Sequence, residues 1–213
     1  MSNPSERGWG PGYPYCQSSK MVPLTVNSVS FGTVRFEVRE LLTILLKEAW
    51  LRGYRYKDGQ CWGYACRAIR GSSAPSVHSW GLAIDINAVT NWMGRQDRGD
   101  IPVWLENLFA EFGFDWGGNW ESRPDPMHFE FILSPASAER LTTFARQEGL
   151  GEDRMTDAEK AAFQELKALV ADMHLVHEGV ALRLQGRAEP KEVGPKRQGW
   201  RQADRFLNEP TVV

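Results

Sequence analysis

The sequence predicts an α+β fold in which a small, mostly antiparallel sheet packs against flanking helices. Short apolar runs with period-two alternation predict strands within "VPLTV", "VSFGTVRF", "GLAIDIN" and "MHFEFIL". Between these runs, broad apolar stripes predict helices over residues 37–53, 102–112 and 135–149. Turn residues bound each element, so the pattern indicates separate short strands and helices rather than a repeat.

The first half of the predicted domain contains an arm, two strands and a helix. Residues 1–21 are rich in Gly, Pro and Ser, which predicts an irregular arm. The helix over residues 37–53 has a broad apolar face, and Gly53 suits its C-terminal cap. Residues 54–76 contain aromatic residues and glycines without a clear period, which indicates a loop.

The second half alternates strands and helices. Asp100 and Pro102 are start signals for the next helix, which Gly113 ends. "FDWGGNW" then predicts a strand followed by a turn, and "MHFEFIL" predicts a buried strand. Ser134 begins a last helix that ends at Gly149.

The character of the sequence changes at the polar break "GLGEDRMTD". We therefore divide the chain into a domain over residues 1–150, an amphipathic helix over 151–186 and a polar, extended tail over 187–213. The helix has a seam with alternating three- and four-residue spacing, formed by Phe163, Leu166, Val170, Met173, His177, Val180 and Leu184. Such a seam is typical of a coiled coil and favours a homo-oligomer through residues 157–185, while folding of the helix back onto the first domain is the alternative.

Composition limits the classes of function. The chain has 213 residues and a net charge of −2, which gives no reason to expect nucleic acid as a partner. No apolar run is long enough for a membrane span, and the N-terminus lacks the apolar core of a secretory signal, so we expect cytoplasmic synthesis. The odd number of cysteines then favours reduced thiols at Cys16, Cys61 and Cys66. A bond from Cys16 to one of the other two is the alternative.

The stretch "SVHSWGLAIDIN" carries an imidazole and a carboxylate on either side of a turn. A strand here buries its leucine and isoleucines and leaves Asp85 on the opposite face, beside the small Ala83. Gly81 permits a sharp backbone path before the strand, and His78 lies on the far side of that turn. The turn therefore allows both groups to reach one point.

The stretch "DPMHFEF" presents a second histidine with carboxylates nearby. Phe129 and Phe131 take one face of the strand and His128 and Glu130 the other, while Asp125 lies three residues before His128, ahead of a proline. Two neutral imidazoles and one carboxylate make a three-ligand zinc set with an open fourth position, which is the pattern of catalytic sites. A remaining carboxylate would be free to act as a general base.

These motifs together resemble a known family. "CRAIRGS", "SVHSWGLAIDIN", "FGFDWGGNW" and "DPMHFEF" occur in the order typical of the VanY-like zinc D-Ala-D-Ala carboxypeptidases and L-alanyl-D-glutamate endopeptidases. The specific part is S-x-H-x-x-G-x-A-x-D followed by D-x-x-H-F-E. "WGPGYP" and the layout resemble the versions that bacteriophages carry as endolysins. The resemblance covers roughly residues 9–133 and implies a fold like that of hedgehog domains and DD-peptidases.

The resemblance implies a role for each of five residues. It implies one Zn²⁺ per chain, with His78, Asp85 and His128 as the metal ligands. It implies a catalytic base at Asp125, three residues before the last histidine ligand. It also suggests that Arg67 is the cation that polarises the scissile carbonyl.

Other residues are predicted to support this centre. Glu130 fits a role in orienting a ligand better than the role of the base, and Arg70 competes with Arg67 for the role of the cation. The segment from Trp116 to Trp120 is predicted to line the substrate groove. Asn119 within it departs from the Asp expected in the family, which affects the expected substrate more than the chemistry. Weaker assignments to supporting roles are Ser76 and Asn87.

The predicted function is a zinc metallopeptidase acting on peptidoglycan stem peptides. The resemblance favours a phage endolysin with L-alanyl-D-glutamate endopeptidase activity. It would act on the cell wall after release from the host, or from the virion. Two alternatives stay open: a D-Ala-D-Ala carboxypeptidase, and a non-catalytic zinc-containing module that binds the wall or serves the virion.

Overall fold

The computed structural model describes residues 3–152, which form an α+β fold. The strands of this part are β1 (Met21–Val26), β2 (Val29–Arg35), β3 (Ala83–Asp85), β4 (Phe114–Trp116) and β5 (His128–Phe131). Its α-helices are α1 (Phe36–Leu51), α2 (Val103–Glu111) and α3 (Pro135–Gln147). The α+β prediction is confirmed for this part. The predicted helix over 157–185, with its seam, and the tail over 187–213 lie outside the described residues.

A β-hairpin and a long helix open the domain. β1 pairs antiparallel with β2, and the two residues between them, Asn27 and Ser28, have positive φ angles of 48° and 67°. This conformation matches the twist of a tight hairpin. α1 follows directly and buries a stripe of leucines. It ends just before Gly53, whose φ of 99° suits the C-terminal cap that the sequence predicts.

The second sheet has three antiparallel strands in the order β3-β5-β4, with β5 in the centre. β3 is shorter than the predicted run "GLAIDIN", because Asn87 turns the chain with a φ of 49°. In the register of this sheet Asp85 lies opposite His128, and Ala83 lies opposite Glu130. The register therefore collects the polar residues of β3 and β5 on one face.

The opposite face of this sheet packs into an aromatic core under α2. The Phe129 ring lies 4.8 Å from that of Phe109 on α2, and the Phe131 ring lies 5.2 Å from that of Phe114. All four phenylalanines are buried. Burial of each such side chain stabilises the fold by about 1.5–3 kcal/mol. No helix within residues 3–152 is long and apolar enough to cross a membrane.

The N-terminal arm contains two short helical turns, Ser5–Trp9 and Ser18–Lys20, which the prediction of an irregular arm did not include, and it packs against the domain. The indole nitrogen of the buried Trp9 donates to the carbonyl oxygen of Leu133 at 2.7 Å, and the indole of Trp80 donates to the carbonyl oxygen of Gly10 at 2.8 Å. Each contact satisfies a polar group that burial would otherwise leave without a partner. These contacts hold the arm across the start of the third strand and the end of the fifth.

The cysteines correct one prediction. The prediction that all three are reduced is wrong, because Cys16 in the arm and Cys66 in the long loop form a disulfide with Cα atoms 6.0 Å apart. Cys61 is free and buried. The bond therefore ties the arm to the residue immediately before Arg67. The odd number of cysteines was misleading because Cys61 is packed in the core, which leaves Cys16 and Cys66 to pair.

Candidate metal centre

Two of the predicted ligands face each other across the central strand pair. Asp85 and His128 are direct partners in the antiparallel register of β3 and β5. Their side chains share a face, and Asp85 Oδ1 lies 3.2 Å from His128 Nδ1. Side chains directly opposite in a sheet have Cβ atoms only about 4.5–5.5 Å apart. Strand pairing alone therefore brings this carboxylate and this imidazole together.

The third predicted ligand comes from the turn before β3. His78 lies on a 3₁₀ turn (Val77–Trp80) that ends at Gly81, which has a left-handed φ of 70°. A Cβ at Gly81 would lie 2.6 Å from the backbone nitrogen of Arg35, so only glycine fits this approach. The turn directs His78 back over the sheet, and its Nε2 lies 3.2 Å from Asp85 Oδ1.

The three ligand atoms form a nearly equilateral triangle. Nε2 of His78 lies 3.1 Å from Nδ1 of His128, and each lies 3.2 Å from Oδ1 of Asp85. Tetrahedral zinc with bonds of about 2.0–2.2 Å holds its ligand atoms about 3.3–3.5 Å apart. All three residues are buried. The size of the triangle therefore suits a metal ion, and the buried His-Asp-His group is one that could hold such an ion.

The second nitrogen of each imidazole has a partner that orients the ring. His78 Nδ1 lies 2.6 Å from the carbonyl oxygen of Gly63, and His128 Nε2 lies 3.1 Å from Glu130 Oε2. Both partners are acceptors, so each ring can donate there and present its other nitrogen to a metal ion at the triangle. Glu130 thus contacts the ring that it was predicted to orient.

The electrostatics of the triangle favour a positive charge at its centre. Burial would raise the pKa of Asp85, but the adjacent His78 and His128 hold that pKa well below its usual range. Burial would lower the pKa of His128, but hydrogen bonds with Asp85 and Glu130 raise it to about 10. A cation is stabilised by the same carboxylates, so a metal ion and a proton compete for this position.

Asp125 lies beside the triangle. Its backbone nitrogen donates to the carbonyl oxygen of Gly117 at 2.8 Å, and the backbone nitrogen of His128 donates to the carbonyl oxygen of Asp125 at 3.0 Å. A Cβ at Gly117 would lie 2.6 Å from that same Asp125 oxygen. The glycine that follows Trp116 in "DWGGNW" is therefore needed for the two segments to pack.

The carboxylate of Asp125 is buried and incompletely satisfied. Its Oδ1 has no hydrogen-bond partner among the described residues. Burial raises the pKa of Asp125 to about 6, and the negative charge of Asp85 adds to the rise, although His128, His78 and Arg123 oppose it. A carboxylate with a free oxygen and a raised pKa can accept a proton near neutral pH, which is what a general base requires.

A pocket of about 400 Å³ opens above these groups. This volume lies in the usual range of about 300–1,000 Å³ for small-ligand sites. The three metal-ligand candidates line it together with Asp125 and Glu130. It is also lined by four other residues that the sequence predicted for the site: Ser76, Arg67, Arg70 and Trp120. The Trp120 ring lies 5.2 Å from the His128 ring, at the wall of the pocket.

Two residues of the predicted groove lie elsewhere. Trp116 is buried in the core, where its indole donates to the carbonyl oxygen of Pro126 at 2.8 Å. Asn119 lies on the surface and donates to Glu106 Oε1 of α2 at 2.6 Å. The prediction that the whole segment from Trp116 to Trp120 lines the groove is therefore wrong for these two, and also for Gly117 and Gly118, which do not line the pocket. An Asp in place of Asn119 would face the carboxylate of Glu106, so this departure concerns a surface contact.

Asn87 also lies away from the ligands. Its side-chain nitrogen donates to the hydroxyl of Tyr54 and the carbonyl oxygen of Arg55, both at 3.0 Å, and its Oδ1 accepts from the backbone of Lys57 at 2.8 Å. Asn87 thus holds the loop after α1 against the end of β3. Ser76 contacts the site region through its main chain: its backbone nitrogen donates to the carbonyl oxygen of Arg67 at 3.2 Å.

Sequence reasoning missed much of the wall of the pocket. The missed lining residues include Trp62, Val89, Trp92, Met93 and Arg123. Most of them lie on irregular loops, where no period links a residue to a face. Of these residues, only Arg123 could have been expected near the site from the sequence, because it lies two residues before the predicted base.

Residues 70–131 match the model of the D-alanyl-D-alanine carboxypeptidase family. The VanY-like resemblance is therefore confirmed, over a shorter stretch than residues 9–133. The match contains the three ligand candidates and Asp125, whereas Arg67 lies outside it. A buried group able to hold a metal ion fits this family of metal-dependent peptidases. No curated protein and no solved structure matches the chain significantly.

Proposed function

We propose that this chain is a zinc-dependent peptidase that hydrolyses the stem peptides of bacterial peptidoglycan. The observation that carries the proposal is the triangle of ligand atoms, with edges of 3.1–3.2 Å, beside the free oxygen of Asp125. Structural zinc sites are closed by four protein ligands, whereas residues 3–152 offer three at this point. The same three side chains line the pocket, so a substrate could reach a metal held there.

In the proposed mechanism the protein positions each proton and charge. Zinc held by His78, Asp85 and His128 would supply a positive charge that polarises the scissile carbonyl and acidifies water. Asp125 accepts the proton of the attacking water at its carboxylate and returns it to the leaving amine. Arg67 donates to the carbonyl oxygen as negative charge develops there.

The proposed bond is the one between L-alanine and D-glutamate. This choice rests on the resemblance of the D-x-x-H spacing and the "WGG" turn to phage endolysins. We accordingly propose that the enzyme acts on the cell wall, either after release from the host cell or from the virion. A D-Ala-D-Ala carboxypeptidase is the second candidate, and the description of the matched family favours it.

The full-length protein should be tested on purified peptidoglycan with and without a chelator. Turbidity and new amino groups are followed together, and the released products are identified by mass spectrometry. We expect new D-glutamyl amino termini in the untreated sample, none after chelation, and recovery when zinc is restored. The matched control is Asp125→Asn, which keeps the ligands but lacks the base.

The products separate the candidate functions. Free D-alanine without new D-glutamyl termini would replace the endopeptidase with the carboxypeptidase. Binding to the wall with no released amino group, by a protein that holds zinc, would instead support a non-catalytic module. The buried carboxylate of Asp125, whose Oδ1 has no hydrogen-bond partner among the described residues, favours the catalytic function over that module.

A further inference from the structure

Three exposed arginines line the pocket: Arg67, Arg70 and Arg123. None of them forms an ion pair with a carboxylate within residues 3–152. Other arginines of the same part do, and these include Arg35, Arg52, Arg98 and Arg146. An arginine without an acidic partner at the wall of a pocket is free to bind an anionic ligand.

Arg123 differs from Arg67 in the contact that holds its side chain, because Arg67 donates to the carbonyl oxygen of its neighbour Ala68 whereas Arg123 reaches a different loop. Arg123 Nη1 donates to the carbonyl oxygen of Arg70 at 3.0 Å, which joins the segment before Asp125 to the loop that carries Arg67. This bond uses one of the five N–H groups of the guanidinium. The remaining donors stay available, and a side chain that is already held loses less entropy on binding a ligand.

The charge of the pocket also favours an anion. Asp85, Asp125 and Glu130 line it together with the three arginines. A bound Zn²⁺ offsets two of the three carboxylates, so the arginines leave the surroundings positive. The whole chain, by contrast, has a net charge of −2. The positive charge is therefore a local property of the pocket.

We propose that Arg123 binds a carboxylate of the substrate next to the scissile bond, and so selects peptides with a free carboxylate over their amidated forms. This inference rests on the proposed function. It gives the arginines separate tasks: Arg67 contacts the reacting carbonyl, and Arg123 contacts a carboxylate that takes no part in the reaction. In a stem peptide that carboxylate belongs either to the glutamate residue or to a terminal D-alanine.

Two pairs of synthetic stem peptides distinguish these sources. One pair carries either the free carboxylate or the carboxamide on the glutamate, and the other carries either form at the terminal D-alanine. Values of kcat and KM are measured for wild type, Arg123→Gln, Arg123→Lys and the control Arg39→Gln, which removes an exposed arginine of α1 outside the pocket.

In one of the two pairs we expect wild type to favour the carboxylate form by about tenfold to a hundredfold in kcat/KM, mainly through KM, as for a hydrogen bond to a charged group. Arg123→Gln should abolish this preference and leave the amide form almost unaffected. Arg123→Lys should keep part of it, because it retains the charge but loses the planar fork. Arg39→Gln should behave as wild type.

Equal losses on both members of a pair in Arg123→Gln would show that the residue only ties the two loops, and would overturn the inference. A wild type with no preference in either pair would do the same. A binding experiment separates this failure from failure of the proposed function. In Asp125→Asn, calorimetry with the same peptides should show tighter binding of the carboxylate form, and adding Arg123→Gln should remove the difference. This holds even if no peptide is cleaved.

Discussion

The three-stranded sheet and the loops around the pocket contribute differently to the candidate site. On the sheet, Asp85, His128 and Glu130 are buried and directed by the antiparallel register. A one-residue slip in that register would move these side chains to the opposite face. On the loops, Arg67 and Arg123 are exposed and held by single contacts. The sheet therefore positions the candidate metal ligands, whereas in the proposed function the loops determine which peptide is bound.

A disulfide and two hydrogen bonds hold these loops in place. The disulfide of Cys66 fixes the start of the loop that carries Arg67, and the backbone of Ser76 bonds to the carbonyl oxygen of Arg67 at 3.2 Å. Arg123 reaches the same loop from the other side of the pocket. Substitutions on the sheet should therefore abolish catalysis, whereas substitutions at these loop contacts should alter stability or substrate affinity.

The largest effect on rate at constant metal content is expected for Asp125→Asn. The variant should keep its zinc and its fold but lose about 10² to 10⁴ in kcat, because the general base is gone. Glu130→Gln should lose only about tenfold to a hundredfold, because it still orients His128 through a weaker bond. Steady-state kinetics on a cleaved stem peptide, with zinc content measured in parallel, checks both. The reverse ranking of the two variants would assign the base to Glu130.

The next largest effect is expected at the loop. Arg67→Ala should lower kcat by about 10² to 10³ if the guanidinium stabilises the oxyanion. Arg67→Lys should recover part of the loss, since the charge remains without the planar fork. The comparison variant is Arg70→Ala, measured under the same conditions. A wild-type rate for Arg67→Ala with a low rate for Arg70→Ala would exchange the two roles.

The difference between the sheet and the loops also explains which site residues the sequence could predict. Asp85 and His128 follow from period-two alternation, because a strand that buries its isoleucines or phenylalanines must present the residues between them on the other face. Trp116 and Trp120 look equivalent in the sequence, but a 3₁₀ turn between them sends one to the core and the other to the pocket. No local pattern specifies that turn.

Contacts distant in sequence were the other source of error. Cys16 and Cys66 are separated by 50 positions, so their proximity depends on how the arm packs. The long loop carries Trp62 to the pocket without any period that would indicate it. Arg123 was overlooked for a different reason. The contact that holds its guanidinium at the pocket is with the backbone of Arg70, which lies on a different loop.

Removal of the disulfide should affect stability more than catalysis. Cys16→Ser should lower the free energy of unfolding by about 2–4 kcal/mol, because the bond closes a long loop in the unfolded chain. The rate should fall less than that of Arg67→Ala, since the metal ligands lie on the sheet and its adjoining turn. Thermal unfolding checks this with a built-in control: a dithiol reductant should lower the midpoint of wild type but leave Cys16→Ser unchanged. An equal response of both proteins would exclude the bond.

The smallest expected effect is a pH dependence at the base. The raised pKa of Asp125, about 6, means that the carboxyl is largely protonated below that pH and cannot accept a proton. At saturating zinc, kcat/KM should therefore fall by about tenfold per unit as the pH decreases below the pKa. A bound Zn²⁺ lowers that pKa, so the inflection should lie at or below about 6. Glu130→Gln should keep this inflection and Asp125→Asn should lose it; an unchanged inflection in Asp125→Asn would assign it to another group.

The most direct test of the account is the metal content of single-ligand variants. Wild type and Asp125→Asn, purified without chelator, should each contain about one zinc per chain by elemental analysis. His78→Ala and His128→Ala each remove one corner of the triangle, so they should lose most of the metal while the aromatic face of the sheet keeps the protein folded. Circular dichroism recorded on the same samples confirms the fold. Full zinc occupancy in both folded histidine variants would contradict the account, because the metal would then be bound elsewhere.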